Sequence, residues 1–200
     1  MIGALNVFGE RAITGFTNKN TGLAALLEKQ GLKDFPLVRM GQSHSNNCKY
    51  ISNGKSQEIN AVDAVFTDQK ALVLTVRTAD CLPIFIYHPK NIIAVVHSGR
   101  VGTEKGIARN VLKQIKKQFS LQNGFSFWFG PAICKKCYQI DKVQDIHFDL
   151  IGENEKQIKA ECPDAKIYYS NICTACKNDF FYSYRKGDND KRNYGFIVLK

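Results

Sequence analysis

The sequence lacks several features that would place it in a specialised class of protein. No apolar run reaches the roughly 18 residues of a membrane-spanning helix, and the first residues lack the basic start and apolar stretch of a secretion signal. Internal repeats, low-complexity tracts and Pro- or Ser-rich linkers are also missing. We therefore expect a cytoplasmic protein without a membrane partner, folded as one domain over residues 1–200.

The charge distribution argues against a nucleic-acid partner. The net charge is +10, which would suit binding to phosphates if the basic residues formed one patch. The lysines are instead interspersed with acidic residues, as in residues 186–192. We expect a small anionic substrate rather than DNA or RNA, and a chain that acts as a monomer or homodimer.

Cysteine occurs in an odd number, seven, in a chain without a recognisable secretion signal. Such cysteines are more often free thiols, metal ligands or catalytic groups than members of a disulfide framework. With 44% hydrophobic residues, the chain can bury a sizeable core without disulfides.

Short apolar runs bounded by turn residues predict a series of buried strands. The segment H-P-K-N lies between two of these runs and predicts an antiparallel hairpin. The predicted strands cover residues 71–76, 82–87, 92–97, 125–133 and 167–170, and a last strand starts at Tyr194.

Apolar residues recur with helical spacing in two segments, residues 106–119 and 148–162. We expect the first helix to begin after Gly102 and Thr103, with Thr103 as a candidate N-cap. The predicted apolar faces consist of Ile107, Val111, Ile115 and Phe119 in the first helix and of Leu150, Ile151 and Ile158 in the second. Helices mixed with hairpins and single strands predict an α/β fold, with a layered mixed sheet and flanking helices.

One thiol and two imidazoles stand at the ends of predicted elements. Cys81 follows a strand, His97 closes another, and His44 lies in a polar segment. Thiolate and imidazole ligands suit zinc or copper, and three protein ligands leave a position for water or substrate. Their spacing matches no local zinc motif, so packing of Cys81 and hydrogen bonding of His97 remain the competing interpretations.

Two C-x-x-C pairs form a second candidate metal site. Cys134 and Cys137 form one pair, and Cys173 and Cys176 form the other. Such pairs can complete a tetrahedral zinc site, although the distance between them exceeds that of a compact zinc ribbon. Reduced, unliganded thiols are the alternative.

Five groups of short motifs occur in the order in which one known family carries them. They are Q-S-H at 42–44, T-A-D-C-L-P at 78–83, H-S-G-R-V-G-T at 97–103, G-P-A-I at 130–133 with C-Y-Q-I at 137–140, and C-T at 173–174 with F-Y-S-Y-R-K at 181–186. The chain thereby resembles the laccase-domain, or multicopper polyphenol oxidase, family. Members of that family are also described as purine nucleoside phosphorylases and peptidoglycan editing factors.

The resemblance implies a laccase-domain-like α/β fold and a zinc site made by His44, Cys81 and His97, with copper as the alternative ion. It also implies phosphorolysis of adenosine, inosine, guanosine and methylthioadenosine, and deamination of adenosine. Cys81 and Asp80 are the catalytic candidates, and Asp80 would orient a ligand or exchange protons.

The segment 99–103 is a candidate phosphate cradle, with contacts from Gly102 and Thr103. Arg100 or Arg77 would add a guanidinium contact to the phosphate. Where the family has Trp-Arg, this chain has Arg100 followed by Val101.

Three other functions are compatible with the sequence. Cys81 and His97 could form the nucleophile and base of an amide hydrolase that edits peptidoglycan precursors. A single copper in the same three-ligand site could oxidise phenols weakly, although the four histidines are too few for a multicopper centre. A basic binding module with a four-cysteine zinc and no catalysis is the third alternative.

Overall fold

The computed structural model describes residues 3–200 and contains two six-stranded sheets packed against each other. The strands of the two large sheets and of one small sheet are β1 (Ala4–Leu5), β2 (Ala12–Phe16), β3 (Leu37–Gly41), β4 (Cys48–Tyr50), β5 (Gln57–Asn60), β6 (Ala64–Thr67), β7 (Val73–Thr78), β8 (Leu82–His88), β9 (Ile92–Ser98), β10 (Ser126–Phe129), β11 (Gln139–Asp141), β12 (Ile146–His147), β13 (Lys166–Tyr169) and β14 (Asn193–Leu199). The helices are α1 (Leu23–Lys29), α2 (Arg100–Glu104), α3 (Ile107–Phe119) and α4 (Leu150–Glu161). None of the helices among these described residues is long and apolar enough to cross a membrane.

Both large sheets are mixed, with parallel and antiparallel pairs. The first has the strand order β1-β2-β14-β7-β3-β5, and the second has the order β13-β10-β8-β9-β6-β4. Strands β8 and β9 pair antiparallel from Leu82 opposite Ser98 to His88 opposite Ile92, which confirms the predicted hairpin. Strands β10 and β13 are parallel neighbours, and α4 lies between them in the chain.

The strands of the second sheet are continuously apolar because both of their faces are buried. In β8, Ile84 and Ile86 pack towards α3, whereas Phe85 packs between the two sheets. A third apolar cluster lies beneath α1 and includes Leu26, Val73 and Phe196. The order of layers is therefore α1, first sheet, second sheet, and the layer of α3 and α4, which confirms the layered α/β fold.

The helix predictions are correct in position and wrong in one boundary. Ile107, Val111 and Ile115 are fully buried on one face of α3, as predicted, and Leu150 and Ile158 are buried on α4. Thr103 is not the N-cap of α3. It lies inside the short helix α2, and Gly106 caps α3 with a φ of 78°, a left-handed conformation that glycine adopts readily.

Two strand predictions also differ from the structure at their ends. The strand predicted at residues 125–133 is confined to β10, since the chain turns at Gly130 and Pro131. The strand predicted at residues 71–76 is shifted to Val73–Thr78. This shift shortens the connection between β7 and β8, which carries Cys81, to three residues.

Candidate metal centre and cavity

Three elements bring the predicted ligands together at one end of the sheets. His44 lies three residues beyond β3, Cys81 lies between β7 and β8, and His97 is the penultimate residue of β9. Cys81 Sγ is 3.9 Å from His44 Nε2. One donor atom from each residue lies within 4.8 Å of the others, so the structure provides a candidate metal centre in which no disulfide competes for Cys81.

A buried carboxylate that belongs to none of the sequence motifs, Asp63, holds two sides of this centre. Asp63 directly precedes β6, and its Oδ1 lies 2.8 Å from Nδ1 of His97. The same carboxylate accepts hydrogen bonds from the backbone N–H groups of His44 at 3.0 Å and of Ser45 at 2.7 Å. This arrangement leaves Nε2 of His97 free to face a metal and fixes the backbone that carries His44.

The charges of the centre reinforce one another. Burial opposes ionisation of the Cys81 thiol, but the neighbouring His97 and His44 outweigh it and lower the pKa of Cys81 to about 6. Burial also disfavours the charged form of His97 and by itself would lower its pKa. The neighbouring Cys81 and Asp63 outweigh burial and raise the pKa of His97 to about 9. The pKa of Asp63 is held well below its usual range, despite its burial, by hydrogen bonds from His97 and Ser45. A thiolate is therefore available near neutral pH, both for a cation and for nucleophilic attack.

The segment after His97 approaches the centre closely. A Cβ atom on Gly99 would lie 2.8 Å from Cδ2 of His44 and 3.0 Å from Sγ of Cys81. A Cβ atom on Gly102 would lie 3.0 Å from the carbonyl oxygen of Ser45. Both glycines thus allow α2 to pack against the segment that carries His44.

Thr103 is part of a buried polar network under this segment. Its hydroxyl donates to the carbonyl of Gly99 at 2.8 Å and accepts from Nδ2 of Asn154 at 3.0 Å. Asn154 in turn accepts a hydrogen bond from the hydroxyl of Ser98. These bonds hold α2 to β9 and α4.

Asp80 is buried beside Cys81, but its carboxylate contacts a different part of the chain. It accepts hydrogen bonds from the hydroxyl of Thr174 at 2.7 Å and from the backbone N–H of Arg185 at 2.8 Å. Its backbone has a φ of 85°, which is unusual for a residue other than glycine. In this structure, Asp80 ties the segments containing Thr174 and Arg185 to the connection that carries Cys81.

A cavity of about 700 Å³ opens onto the centre. Arg77 lines it, and the side chain of Gln42 holds Arg77 in place through hydrogen bonds to both its backbone N–H and its carbonyl. Arg100 instead forms an ion pair with Glu104 at 2.9 Å. The remaining lining residues are His44, Thr78, Ala79, Asp80, Cys81, His97, Tyr138, Tyr184, Arg185, Asn189, Asp190 and Arg192.

Several of these lining residues were not among the predicted site residues. Tyr138 belongs to the segment after β10, and the guanidinium of Arg185 lies 5.6 Å from the centre of its ring. Tyr184 and Arg185 lie within the F-Y-S-Y-R-K motif, and their place in that motif is the sequence feature that could have predicted them as site residues. The four cysteines of the two C-x-x-C pairs lie together in a separate cluster.

Comparison with known proteins agrees with the motifs. A family model described as multi-copper polyphenol oxidoreductase laccase matches residues 18–145 and 141–200. A purine nucleoside phosphorylase of Campylobacter jejuni is 32% identical over 88% of this chain and 83% of its own. An adenosine deaminase named RL5, from an unknown prokaryotic organism, is 30% identical over 71% of this chain and 64% of its own.

Solved structures share the fold at lower sequence identity. The crystal structure of YlmD from Geobacillus stearothermophilus has a TM-score of 0.86 at 22% identity and covers 94% of this chain and 92% of its own. A Bacillus licheniformis protein, YfiH, has a TM-score of 0.83 at 24% identity, with 94% of this chain and 93% of its own covered. The chain belongs to the multi-copper polyphenol oxidoreductase laccase family, also called the laccase-domain family.

Proposed function

We propose that this protein is a zinc-dependent purine nucleoside phosphorylase that also deaminates adenosine. The observation that carries the proposal is the convergence of His44, Cys81 and His97 on one cavity, in a chain whose relatives are named for these two activities. Adenosine, inosine, guanosine and methylthioadenosine are the proposed substrates of phosphorolysis.

The donor set fits zinc. Thiolate and imidazole ligands at about 2.3 Å and 2.0 Å from a tetrahedral zinc lie roughly 3.5 Å apart, close to the 3.9 Å between Cys81 Sγ and His44 Nε2. Asp63 accepts a hydrogen bond from Nδ1–H of His97, which is the arrangement that makes Nε2 a good ligand. A bound zinc supplies a Lewis acid and lowers the pKa of a coordinated water. Copper is the alternative ion for the same three ligands.

The cavity has groups suited to both co-substrates. Arg77, Arg185 and Arg192 are guanidinium-bearing residues along its wall, and guanidinium is well matched to phosphate oxygens. Tyr138 and Tyr184 offer aromatic surface to a purine ring. The volume of about 700 Å³ lies in the range of small-molecule sites, so a nucleoside and phosphate can be held together.

In phosphorolysis, an oxygen of hydrogen phosphate forms a bond to C1′ of the ribose while the bond from C1′ to the purine nitrogen breaks, and the proton of hydrogen phosphate passes to the departing purine. The arginines would hold the phosphate beside C1′ and offset its charge, and Arg77 is the better placed of the two predicted contacts. Asp63 would keep His97 in one orientation throughout. Asp80 would preserve the cavity wall through Thr174 and Arg185.

The test is a product assay with zinc-loaded protein. Adenosine or inosine with phosphate should yield free base and ribose 1-phosphate, and adenosine without phosphate should yield inosine and ammonia. The His97→Ala variant should lose both activities, whereas His88→Ala, which changes a histidine at the far end of β8 bonded to the carbonyl of Asn123, should keep them. Absence of product from every purine nucleoside with zinc-replete protein would contradict the proposal.

A Cys81-dependent amide hydrolase is the second candidate. Its support is the lowered pKa of Cys81 beside His97, which is the pairing that an activated thiol nucleophile needs. Copper-dependent phenol oxidation has less support, because the two histidines outside the centre are separated from it. His88 contacts the carbonyl of Asn123, and His147 contacts that of Lys135.

A further inference from the structure

Two loops of the second sheet bring four cysteines together outside the cavity. Cys134 and Cys137 follow β10, and Cys173 and Cys176 follow β13. Because β10 and β13 are parallel neighbours, the loops after them leave the sheet at the same edge. The four sulfur atoms lie within 4.8 Å of one another, although the pairs are far apart in the sequence.

The distances suit a shared metal ion better than disulfides. Cys137 Sγ and Cys176 Sγ are 3.3 Å apart, whereas a disulfide bond is about 2.05 Å long. All four cysteines are free thiols in the structure. Four thiolates bound to one zinc at about 2.3 Å lie about 3.8 Å apart, so only small movements would complete the tetrahedron.

Backbone groups already support a thiolate in the cluster. The N–H groups of Cys134 and Cys176 point at Sγ of Cys173, at 3.3 Å and 3.4 Å. Such N–H donors stabilise a metal-bound sulfur and orient it. Residues 135–137 form a tight 3-10 turn, which lets both sulfurs of the first C-x-x-C pair face the second pair.

The surrounding charges favour four thiolates around a divalent cation. That group would carry a net charge of −2, and three exposed lysines, Lys135, Lys136 and Lys177, adjoin the cysteines in sequence. Three of the cysteines are half-buried, and Cys176 is exposed. Four protein ligands fill a tetrahedral zinc, so such a site has a structural rather than a catalytic role.

We propose that Cys134, Cys137, Cys173 and Cys176 bind one structural zinc ion, distinct from the ion of the cavity, and that this zinc holds the cavity wall in place. Tyr138, which lines the cavity, directly follows Cys137. Thr174, which donates to Asp80, directly follows Cys173. Metal binding at the four cysteines stands independently of the proposed function, and only its effect on nucleoside binding rests on it.

Metal analysis of the full-length purified protein tests the proposal. Wild type should contain two zinc ions per chain, and both Cys137→Ser/Cys176→Ser and His44→Ala/His97→Ala should contain one. Cys48→Ser, which changes a cysteine outside both clusters, should retain two. An unchanged zinc content in Cys137→Ser/Cys176→Ser, or iron in place of zinc, would overturn the proposal.

X-ray absorption at the zinc edge does not depend on whether the cysteine variant folds. The zinc retained by the His44→Ala/His97→Ala variant should have four sulfur neighbours at about 2.3 Å. A shell containing nitrogen or oxygen, loss of all zinc from this variant, or a Cys137–Cys176 disulfide in zinc-replete protein would overturn the assignment.

The proposed role in the cavity wall has its own readout. In Cys137→Ser/Cys176→Ser, amide hydrogen exchange in residues 134–138 and 171–176 should accelerate on the order of tenfold, while exchange in β8 and β9 stays unchanged. The KM for adenosine should rise several-fold, with one zinc still bound. Exchange rates equal to those of wild type would overturn the wall-holding role.

Discussion

Asp63 and His97 form a buried carboxylate–imidazole pair in which Oδ1 lies 2.8 Å from Nδ1, and both side chains are almost fully shielded from solvent. The same carboxylate accepts the backbone N–H of His44. One acidic side chain therefore orients a predicted metal ligand directly and fixes the backbone of another. Its position before β6, opposite the end of β9, makes this double contact possible.

We expect Asp63→Asn to lower zinc affinity at the cavity by about 10- to 100-fold, the usual cost of losing a partner behind a metal ligand. An amide keeps the size of the side chain but has only one oxygen to accept the surrounding N–H and O–H donors. Competition with a chromophoric chelator measures the affinity, and circular dichroism verifies folding. Asp145→Asn is the matched control, because Asp145 contacts His147 at the surface. Unchanged affinity in folded Asp63→Asn would contradict an orienting role.

Zinc should protect Cys81 from alkylation if Cys81 is a ligand. In metal-free protein, the lowered pKa of Cys81 favours reaction with iodoacetamide near neutral pH. With zinc bound, we expect the rate at Cys81 to fall on the order of tenfold or more, because the sulfur lone pair is engaged by the metal. Peptide mass spectrometry follows the rate at each cysteine, and Cys48, whose pKa burial raises to about 11, serves as the slow reference that zinc should not affect. Equal rates at Cys81 with and without zinc would favour the nucleophile of the alternative hydrolase.

The sequence predicted the candidate ligands but not the group that orients them. His44, Cys81 and His97 stood out because their residue types suit zinc and because each lies in a family motif. Asp63 lies outside those motifs, and its importance arises from burial and strand pairing, which have no local sequence pattern.

In the fold as well, features formed by neighbouring segments of the chain were easier to predict than contacts between distant segments. The β8–β9 hairpin was predictable because its apolar runs and turn are adjacent in the chain. The meeting of the two C-x-x-C pairs was one of two alternatives, beside unliganded thiols, because α4 and other segments separate the pairs in the chain and the parallel pairing of β10 with β13 brings them together. The error at Thr103 arose because a left-handed Gly106 splits the helical segment into α2 and α3.

The two arginines predicted to contact phosphate should differ in their effects. Arg77 lines the cavity, whereas Arg100 is paired with Glu104. We expect Arg77→Ala to raise the KM for phosphate by about 10- to 100-fold, which corresponds to the loss of one charge-assisted hydrogen bond. Arg100→Ala should change it less than about threefold, since Arg100 is not among the lining residues and its guanidinium is paired with Glu104, an exposed ion pair that itself contributes little. Initial rates of phosphorolysis across phosphate concentrations measure both values, and the reverse ranking would move the phosphate site towards α2.

Gly99 should be essential for the geometry of the centre because of its close approach to two ligands. An added methyl group would lie 2.8 Å from the His44 ring and 3.0 Å from the sulfur of Cys81, closer than atoms normally pack. We expect Gly99→Ala to displace one of these ligands, to weaken zinc binding at the cavity, and to lower kcat/KM on the order of 100-fold, the scale of effect of a small misplacement at a reacting centre. Gly22→Ala is the control, because a Cβ there meets open space before α1. Zinc affinity and kcat/KM are measured on both variants. A Gly99→Ala protein indistinguishable from wild type would show that His44 and Cys81 can bind zinc without a glycine at position 99.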